Sequence, residues 1–354
     1  MRLTEDRMFV DVHCPDHIAP TELDAYLERG WFRMGQTIFT TNWLNFKDTF
    51  YSAIWLRVLL DQYQSGSTEK KLLQRNAGFQ VEIRPASITI EKELLYLRYK
   101  QAVAFEASAS LQTLLFGNSD HNIFETWEVS VYDNSKLIAN GYFDLGSESA
   151  MGIASIYDPD YKKYSLGKFL IYQKIKFCRD RGMKYFYPGY FVPGYRAFDY
   201  KLDIGTPYIE FLELRTDFWK PLMEFTNNHV PVNMMFNRLT ELKNSLARSG
   251  VDSTVLFYDY FYANQTPELS GAALLDFPVF LTTEKAMNEW SIIVFDVRTD
   301  KYHLLKCYPV LTPPAPNMVP GYYSEYVLKS EETLFVSPYA DEIGSVFTSS
   351  LRPV

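Results

Sequence analysis

Residues 141–167 read GYFDLGSESAMGIASIYDPDYKKYSLG, and this stretch decides how the surrounding elements connect. Within it, Ala150–Ile156 has the apolar character of a strand. Ser165 is the expected N-terminal cap of a helix whose apolar residues recur at helical spacing, and Gly182 is its expected stop. Lys184–Tyr187 follows as a further strand. The stretch therefore predicts a strand, a loop, a helix and a second strand in that order.

Two more strands are predicted immediately upstream. Phe124–Tyr132 and Lys136–Asp144 each have strand character, and Asp133-Asn134-Ser135 between them is typical of a compact hairpin turn. The whole order is strand–strand–strand–helix–strand. By itself this order predicts a mixed α/β fold.

The composition favours a folded protein in a reducing compartment. The chain has 354 residues, of which 47% are hydrophobic and 16% aromatic, enough for two or three domains. Met1–Pro15 has no continuous apolar run, so we expect no signal peptide, and no run approaches the roughly 20 residues that span a bilayer. Cys14, Cys178 and Cys307 are far apart, which argues against a disulfide framework. These features predict a cytoplasmic protein without a membrane segment.

Charge is distributed unevenly along the chain. The net charge is −8, and residues 251–354 contain 13 acidic and 6 basic residues. Residues 160–184 contain eight basic and two acidic residues instead. A local basic surface on an acidic protein suits a nucleic-acid partner, although lysine-rich helix faces are also ordinary solvated surface.

Five short motifs carry a family resemblance. They are Gly-Tyr-Phe-Asp-Leu-Gly (141–146), Ile-Tyr-Asp-Pro-Asp-Tyr (156–161), Ser-Leu-Gly (165–167), Tyr-Phe-Tyr-Pro-Gly-Tyr (185–190) and Phe-Asp-Tyr-Lys (198–201). In this order they resemble the arginyl-tRNA–protein transferases and their bacterial leucyl-transferring relatives. The resemblance implies a GNAT-type acyltransferase core, with a mixed, mostly antiparallel sheet flanked by helices. It implies an N-terminal transferase region (1–118), a catalytic core (119–215) and an accessory C-terminal region of unknown role (216–354).

Asp144 and Tyr157 are the catalytic candidates that this resemblance implies. Asp144 matches the family's Asp at a strand end that opens onto the transfer cleft, where it would hold and orient the acceptor amine. The alternative is a turn-forming Asp before Gly146. Tyr157 is a candidate for proton relay or for stabilising the oxyanion.

Binding of the tRNA end is expected around the start of the predicted helix and in the tyrosine-rich segment after it. The start of the helix keeps one glycine of the glycine-rich turn that binds acyl-CoA pyrophosphate in GNAT enzymes, which argues against acyl-CoA. Tyrosines stack on bases and hydrogen-bond to ribose, but they are also common core material. The candidates are Ser165, Gly167, Lys168, Tyr190, Tyr195, Tyr200 and Lys201.

An N-terminal element, Arg29–Gly35, resembles the family's R-G-W-R-R-S-G block. Trp31 and Arg33 there, together with Arg57 further on, are candidates for stacking a base and gripping phosphates. The alternative places the tryptophan in the core and the arginines on the surface. Phe32 replaces a basic family residue, which weakens a phosphate role.

Other departures concern metal binding and acceptor choice. The family's N-terminal cysteine cluster is reduced to Cys14, and His13, Cys14 and His17 are fewer than the four ligands of a structural zinc site. We therefore expect no metal. Pro193–Arg196 replaces the family's His-Ser-Cys-Pro.

The sequence thus predicts an enzyme, an aminoacyltransferase that moves Arg or Leu from charged tRNA to the N-terminal amine of an acceptor protein. Aminoacyl-tRNA is the co-substrate, and no cofactor is expected. One alternative is a GNAT N-acyltransferase that uses acyl-CoA. Another is a non-catalytic binding protein on the same scaffold. The sequence does not fix the oligomeric state.

Overall fold

An eight-stranded mixed sheet forms the centre of the protein. It is seen in a computed structural model that describes residues 8–46, 48–103, 107–117, 119–269, 271–283, 291–311 and 322–350. The sheet order is β13-β12-β6-β11-β10-β9-β8-β7. Its strands are β6 (Ile54–Leu59), β7 (Gln80–Pro85), β8 (Thr126–Asp133), β9 (Lys136–Leu145), β10 (Ser149–Tyr157), β11 (Tyr185–Phe191), β12 (Ile209–Glu213) and β13 (Phe218–Pro221).

Neighbouring strands in this sheet run antiparallel except for β10 and β11, which are parallel. The helix α5 (Leu166–Asp180) connects β10 to β11. The predicted order strand–strand–strand–helix–strand of a GNAT-type core is therefore confirmed as β8, β9, β10, α5 and β11. The mixed α/β class with a mostly antiparallel sheet is confirmed as well.

Local sequence signals fix the turns of this core. Asn134 has φ 54°, as the tight β8–β9 turn requires, and Gly182 has φ 72° just beyond the end of α5. Ser165 precedes α5 in a left-handed conformation, with φ 53°. Its side chain makes no capping hydrogen bond, contrary to the predicted cap, and its backbone carbonyl accepts from the Phe169 amide instead.

Helices and a small sheet cover the central sheet. The apolar side of α5 packs on one face, where Phe169 and Leu170 meet Val129, Phe143 and Phe186. An N-terminal unit covers part of the other face. It consists of α1 (Pro20–Glu28), the sheet β1-β3-β2 (Val10–His13, Thr37–Thr41, Phe32–Met34) and the hairpin of β4 (Trp43–Phe46) and β5 (Thr49–Ser52). Three further helices, α2 (Ser67–Arg75), α3 (Ile90–Ala102) and α4 (Leu111–Phe116), lie along the chain before β8.

The C-terminal region folds as a second, antiparallel sheet. Its order is β14 (Thr254–Phe257), β15 (Val279–Thr282), β16 (Ser291–Asp296), β17 (Lys301–Leu311) and β18 (Val327–Ser337). Two helices, α6 (Pro231–Arg248) and α7 (Ala340–Ser350), pack against it.

The N-terminal residues are built into this C-terminal core. Phe9, Val10 and Trp43 belong to the same buried cluster as the second sheet. The Asp276 carboxylate accepts hydrogen bonds from the amides of Phe9 and Val10. The backbone carbonyl oxygen of Asp276 accepts from Trp43 Nε1 at 2.9 Å. The predicted division at residues 118 and 215 stays a prediction. The central sheet takes β6 and β7 from before that core and β13 from after it.

Among the described residues, no helix is both long and apolar enough to span a membrane.

Candidate functional site

The two parallel strands of the central sheet separate towards their carboxyl ends. β10 and β11 pair only over Ser149–Met151 and Tyr185–Tyr187. Beyond this, β10 has a register shift between Gly152 and Ala154 and follows β9, while β11 shifts after Phe186 and follows β6. The strands therefore open a crevice at their carboxyl ends, which is where open α/β sheets bind ligands.

A buried lysine holds the irregular part of β10 in place. Lys174, on α5, is 1% exposed, and its Nζ donates to the carbonyl oxygens of Tyr142 and Ala154 at 2.8 and 2.7 Å. A side chain at position 141 would displace the end of Lys174, because an added Cβ would lie 2.9 Å from Lys174 Cε. Burial lowers the pKa of Lys174 to about 7. This side chain supplies the donor that the shifted strand lacks.

The amino end of α5 faces a group of tyrosines. A Cβ on Gly167 would lie 3.5 Å from the Tyr157 ring, which makes an edge contact with Tyr99 at 5.3 Å between centroids. Burial raises the pKa of Tyr99 to about 12, with further contributions from Tyr157 and Tyr200. The first amides of α5 have no intrahelical partners, so this end carries partial positive charge. The structure thus brings together Gly167, Tyr157 and Tyr200 of the predicted site.

Lys201 belongs to the 3-10 segment Arg196–Asp203 that follows β11, and its side chain lies against the end of that strand. Its Nζ donates to the Tyr190 carbonyl oxygen at 2.7 Å and lies 5.1 and 5.0 Å from the ring centroids of Tyr190 and Phe198. Burial lowers the pKa of this ammonium to about 7. Lys168, by contrast, is partly exposed and pairs with Asp203 at 2.8 Å.

A cleft of about 500 Å³ lies against the other side of Tyr190. It is formed by β3, the β4–β5 hairpin and the C-terminal segment 259–265, and its walls include Trp43, Asn45, Asp48, Tyr190, Asp259 and Tyr262. Asn45 Nδ2 donates to Asp259 at 2.7 Å. Asn45 Oδ1 is buried and has no hydrogen-bond partner among the described residues. Burial raises the pKa of the Asp259 carboxyl; the Asn45 hydrogen bond opposes this shift, and the Asp48 charge adds to it.

Asp144 lies inside the protein and not in this cleft. Its carboxylate is fully buried, accepts from Arg33 Nη1 at 2.8 Å and from Thr126 Oγ1 at 2.5 Å, and has its pKa raised by desolvation, which the Arg33 charge opposes. Arg33 also donates to the carbonyls of Gly35 and Leu115. A direct contact between Asp144 and an acceptor amine would require this pair to open, so the steering role stays a prediction.

The other N-terminal candidates are also engaged within the protein. The Arg57 guanidinium lies between the rings of Tyr185 and Trp219 and pairs with Glu28 and Glu210, each at 2.7 Å. Trp31 is 9% exposed and packs 4.2 Å from the His13 ring. A tRNA contact by Trp31, Arg33 or Arg57 stays a prediction, because in this structure their binding groups already have partners.

Tyr195 lies on the far side of the same aromatic region. Its ring stacks on Phe46 of β4 at 4.8 Å and contacts Tyr51 of β5 at 5.6 Å. It therefore links the segment after β11 to the hairpin that forms the cleft.

Sequence reasoning missed Lys174 and the cleft residues Asn45, Asp48, Asp259 and Tyr262. Lys174 stands among apolar residues of α5, and a lysine at a buried helical position is a signal that was available. The cleft gave no local signal, because its walls come from segments more than 200 residues apart. No group of three or more His, Cys, Asp or Glu side chains in the described ranges could hold a metal.

Comparison with known proteins matches residues 91–209 to the family described as arginine-tRNA-protein transferase, C terminus. An aspartate/glutamate leucyltransferase of Leptospira interrogans is 34% identical over 193 residues, covering 53% of this chain and 73% of that protein. The chain belongs to this aminoacyl-tRNA–protein transferase family. The same enzyme from Helicobacter hepaticus is 26% identical over 220 residues, covering 60% of this chain and 88% of that protein. The chain is accordingly a transferase, as the sequence predicted.

Solved structures show weaker likeness. The ribosomal-protein-S18-alanine N-acetyltransferase of Escherichia coli is 21% identical, covers 29% of this chain and 63% of its own, and has a TM-score of 0.24. A lysylphosphatidylglycerol synthetase domain from Agrobacterium fabrum is 15% identical, covers 39% and 46%, and has a TM-score of 0.32.

Proposed function

We propose that this transferase moves leucine from leucyl-tRNA to the N-terminal α-amine of acceptor proteins that begin with Asp or Glu. The proposal takes leucine and the acidic first residue from the names of the relatives, and arginine is the second amino acid that the family match supports. Both substrates suit a cytoplasmic location.

The proposal is supported by the positions of the crevice and the cleft, which lie on either side of Tyr190. The crevice between β10 and β11 starts at the amino end of α5, and the cleft lies on the side of the N-terminal unit. Tyr190 belongs to the cleft wall, and its carbonyl oxygen accepts from Lys201 at the crevice. Two large substrates that must meet at one bond need separate approaches of this kind.

We assign the esterified end of the tRNA to the crevice. The partial positive charge of the α5 amino end and the exposed Lys168 suit a terminal phosphate. Tyr157 and the exposed Tyr200 suit the base and ribose of the terminal nucleotide. Ser165, Gly167 and Tyr195 complete this surface.

We assign the acceptor's N-terminus to the cleft. A protonated α-amine has three donors, and the cleft offers the carboxylates of Asp48 and Asp259 as acceptors. The aromatic walls suit the first side chains of a peptide. Reading an acidic first residue beside two carboxylates requires a nearby cation.

The chemistry is the attack of an amine on an ester that is already activated. Most of the rate gain then comes from positioning, and the reaction as written requires no organic cofactor. The nucleophile must be neutral, and a free α-amine has a pKa of about 7.7–8.0.

Transfer from radiolabelled leucyl-tRNA and arginyl-tRNA to peptides beginning with Asp, Glu, Arg or Ala tests the proposal directly. Lengthened peptide should appear with leucyl-tRNA and the acidic acceptors. Transfer from arginyl-tRNA alone would correct the amino acid, and preference for another first residue would correct the acceptor. Absence of transfer from any charged tRNA, together with thermal stabilisation by acetyl-CoA, would replace the proposal by acyl-CoA chemistry.

A further inference from the structure

Lys201 is half-buried and incompletely paired. Its Nζ has one oxygen partner among the described residues, the Tyr190 carbonyl at 2.7 Å. It also lies close to the backbone of β11, since a Cβ added to Gly189 would be 3.1 Å from it. An ammonium has three donors, so a charged Lys201 would have two donors that no described residue satisfies.

The charge of Lys201 has no carboxylate partner in the described ranges. Asp203, which lies in the same segment as Lys201, pairs with Lys168 of α5 instead. Ionisable groups on the surrounding elements are mostly phenols. They are Tyr190 on β11, Tyr99 on α3, Tyr51 on β5, Tyr195, Asp199 and Tyr200 on its own segment, and Arg57 on β6 paired with Glu28 and Glu210.

A substantial fraction of Lys201 side chains is therefore neutral near physiological pH. Burial is the cause that lowers its pKa to about 7. A neutral amine that donates one N–H to the Tyr190 carbonyl still has a free lone pair. Tyr190 lines the cleft, and its carbonyl oxygen holds Lys201 Nζ beside the end of β11. Under the proposed assignment of substrates, the two substrates meet at this end of β11.

We propose that Lys201 accepts the proton of the attacking acceptor nitrogen and returns it to the departing ribose oxygen. This role rests on the proposed transfer reaction and assigns its proton shuttle. It differs from a phosphate contact, which would use the lysine as a permanent cation.

The atoms balance in two steps. The acceptor nitrogen bonds to the ester carbonyl carbon, and its proton passes to Lys201 Nζ. The bond between that carbon and the ribose oxygen then breaks, the oxygen takes the proton from Nζ, and neutral Lys201 is restored. No oxidant, reductant or further reactant is required.

Three variants of the full-length protein test this role. Lys201→Met removes the amine, and Lys201→Arg keeps a cation that cannot become neutral. Lys176→Met is the matched control, because Lys176 is an exposed lysine of α5 that pairs with Asp180 in the same helix. We expect both Lys201 variants to lose about 10²–10⁴-fold in kcat with little change in KM for charged tRNA. The control should transfer at the wild-type rate.

The pH dependence separates a proton shuttle from a structural lysine. In the wild type, a plot of log(kcat/KM) against pH should fall towards low pH with a slope near two, because Lys201 and the acceptor amine must both be neutral. The residual activity of Lys201→Met should fall with a slope near one. Wild-type activity in Lys201→Arg, or an unchanged slope in Lys201→Met, would overturn the proposal.

A direct titration keeps the test independent of transfer and of the folding of the variants. The full chain is labelled with ¹³Cε-lysine, and the signal that disappears in Lys201→Arg is assigned to Lys201. This signal should titrate near pH 7. Titration above about pH 9 would overturn the role even in an active enzyme, whereas a neutral Lys201 in a protein without transfer activity would contradict the proposed function alone.

Discussion

Lys174 and Lys201 are two buried lysines on the same core, and they differ in how well they are paired. Burial lowers the pKa of each to about 7. Lys174 is 1% exposed and donates to two carbonyls, with Ser155 Oγ a third partner at 3.5 Å. Lys201 keeps some exposed surface and donates to one carbonyl. Two lysines with a similarly lowered pKa can therefore have a structural role at one site and a chemical role at the other. The number of hydrogen-bond partners of each ammonium distinguishes the two roles.

Asp144→Ala should have the largest effect on stability. The Asp144 charge contributes to the environment of Lys174, and its removal leaves Arg33 buried without its anion. Losing one partner of a buried pair costs about 3–5 kcal/mol, measurable by urea unfolding. Glu148→Ala, which breaks the exposed pair with Lys184, is the control and should unfold like the wild type. Wild-type stability combined with lost transfer would instead support the predicted steering of the amine by Asp144.

Lys174→Met should have the next largest effect on stability. The carbonyls of Tyr142 and Ala154 would lose their shared donor inside the protein, at a cost of about 2–4 kcal/mol in the free energy of unfolding. The folded fraction of this variant should keep the wild-type acid slope of kcat/KM. A slope reduced to one would mean that Lys174 and Lys201 had been assigned the wrong way round.

The pH dependence of stability sharpens the contrast further. The folded pKa of Lys174, about 7, lies below the value of about 10.4 in an unfolded chain. Between these values the unfolded chain binds more protons, so the contribution of this group to stability rises with pH. The stability of the wild type relative to Lys174→Met should therefore increase between pH 7 and 9, by at most about 1.4 kcal/mol per unit. Lys176→Met should show no such trend.

The smallest expected effect is at the cleft. Asp259→Asn preserves the shape of the wall but removes one carboxylate charge next to Asn45. We expect KM for the acceptor peptide to rise about threefold, within the range for one partly exposed charged contact. KM for charged tRNA should stay unchanged. An equal rise in both constants would place the acceptor elsewhere.

Prediction from sequence worked best where the signal is local. The hairpin turn at Asn134, the end of α5 at Gly182 and the strand order from β8 to β11 all follow from residue type and spacing. The family followed from motifs within the same stretch. The side-chain cap predicted at Ser165 is absent, because the preceding 3-10 turn leaves this residue in a left-handed conformation.

The partners of charged side chains were harder to predict from the sequence. Asp144 is 111 residues from Arg33 in the chain, and nothing in the spacing indicates that the two pair. The accessory C-terminal region contributes Asp259 and Tyr262 to the cleft, although its sequence carries no recognised motif.

The sequence by itself determined the order of the elements, the transferase family and the tyrosine-rich segment that ends in Lys201, because helix and strand periodicity and short motifs are properties of neighbouring residues. Only the tertiary structure decided that Asp144 is neutralised by Arg33, that Lys174 is fully paired and Lys201 is not, and that a C-terminal segment closes the cleft. Desolvation and pairing depend on which distant segments pack together. The packing of these segments therefore determines the protonation and pairing of these side chains.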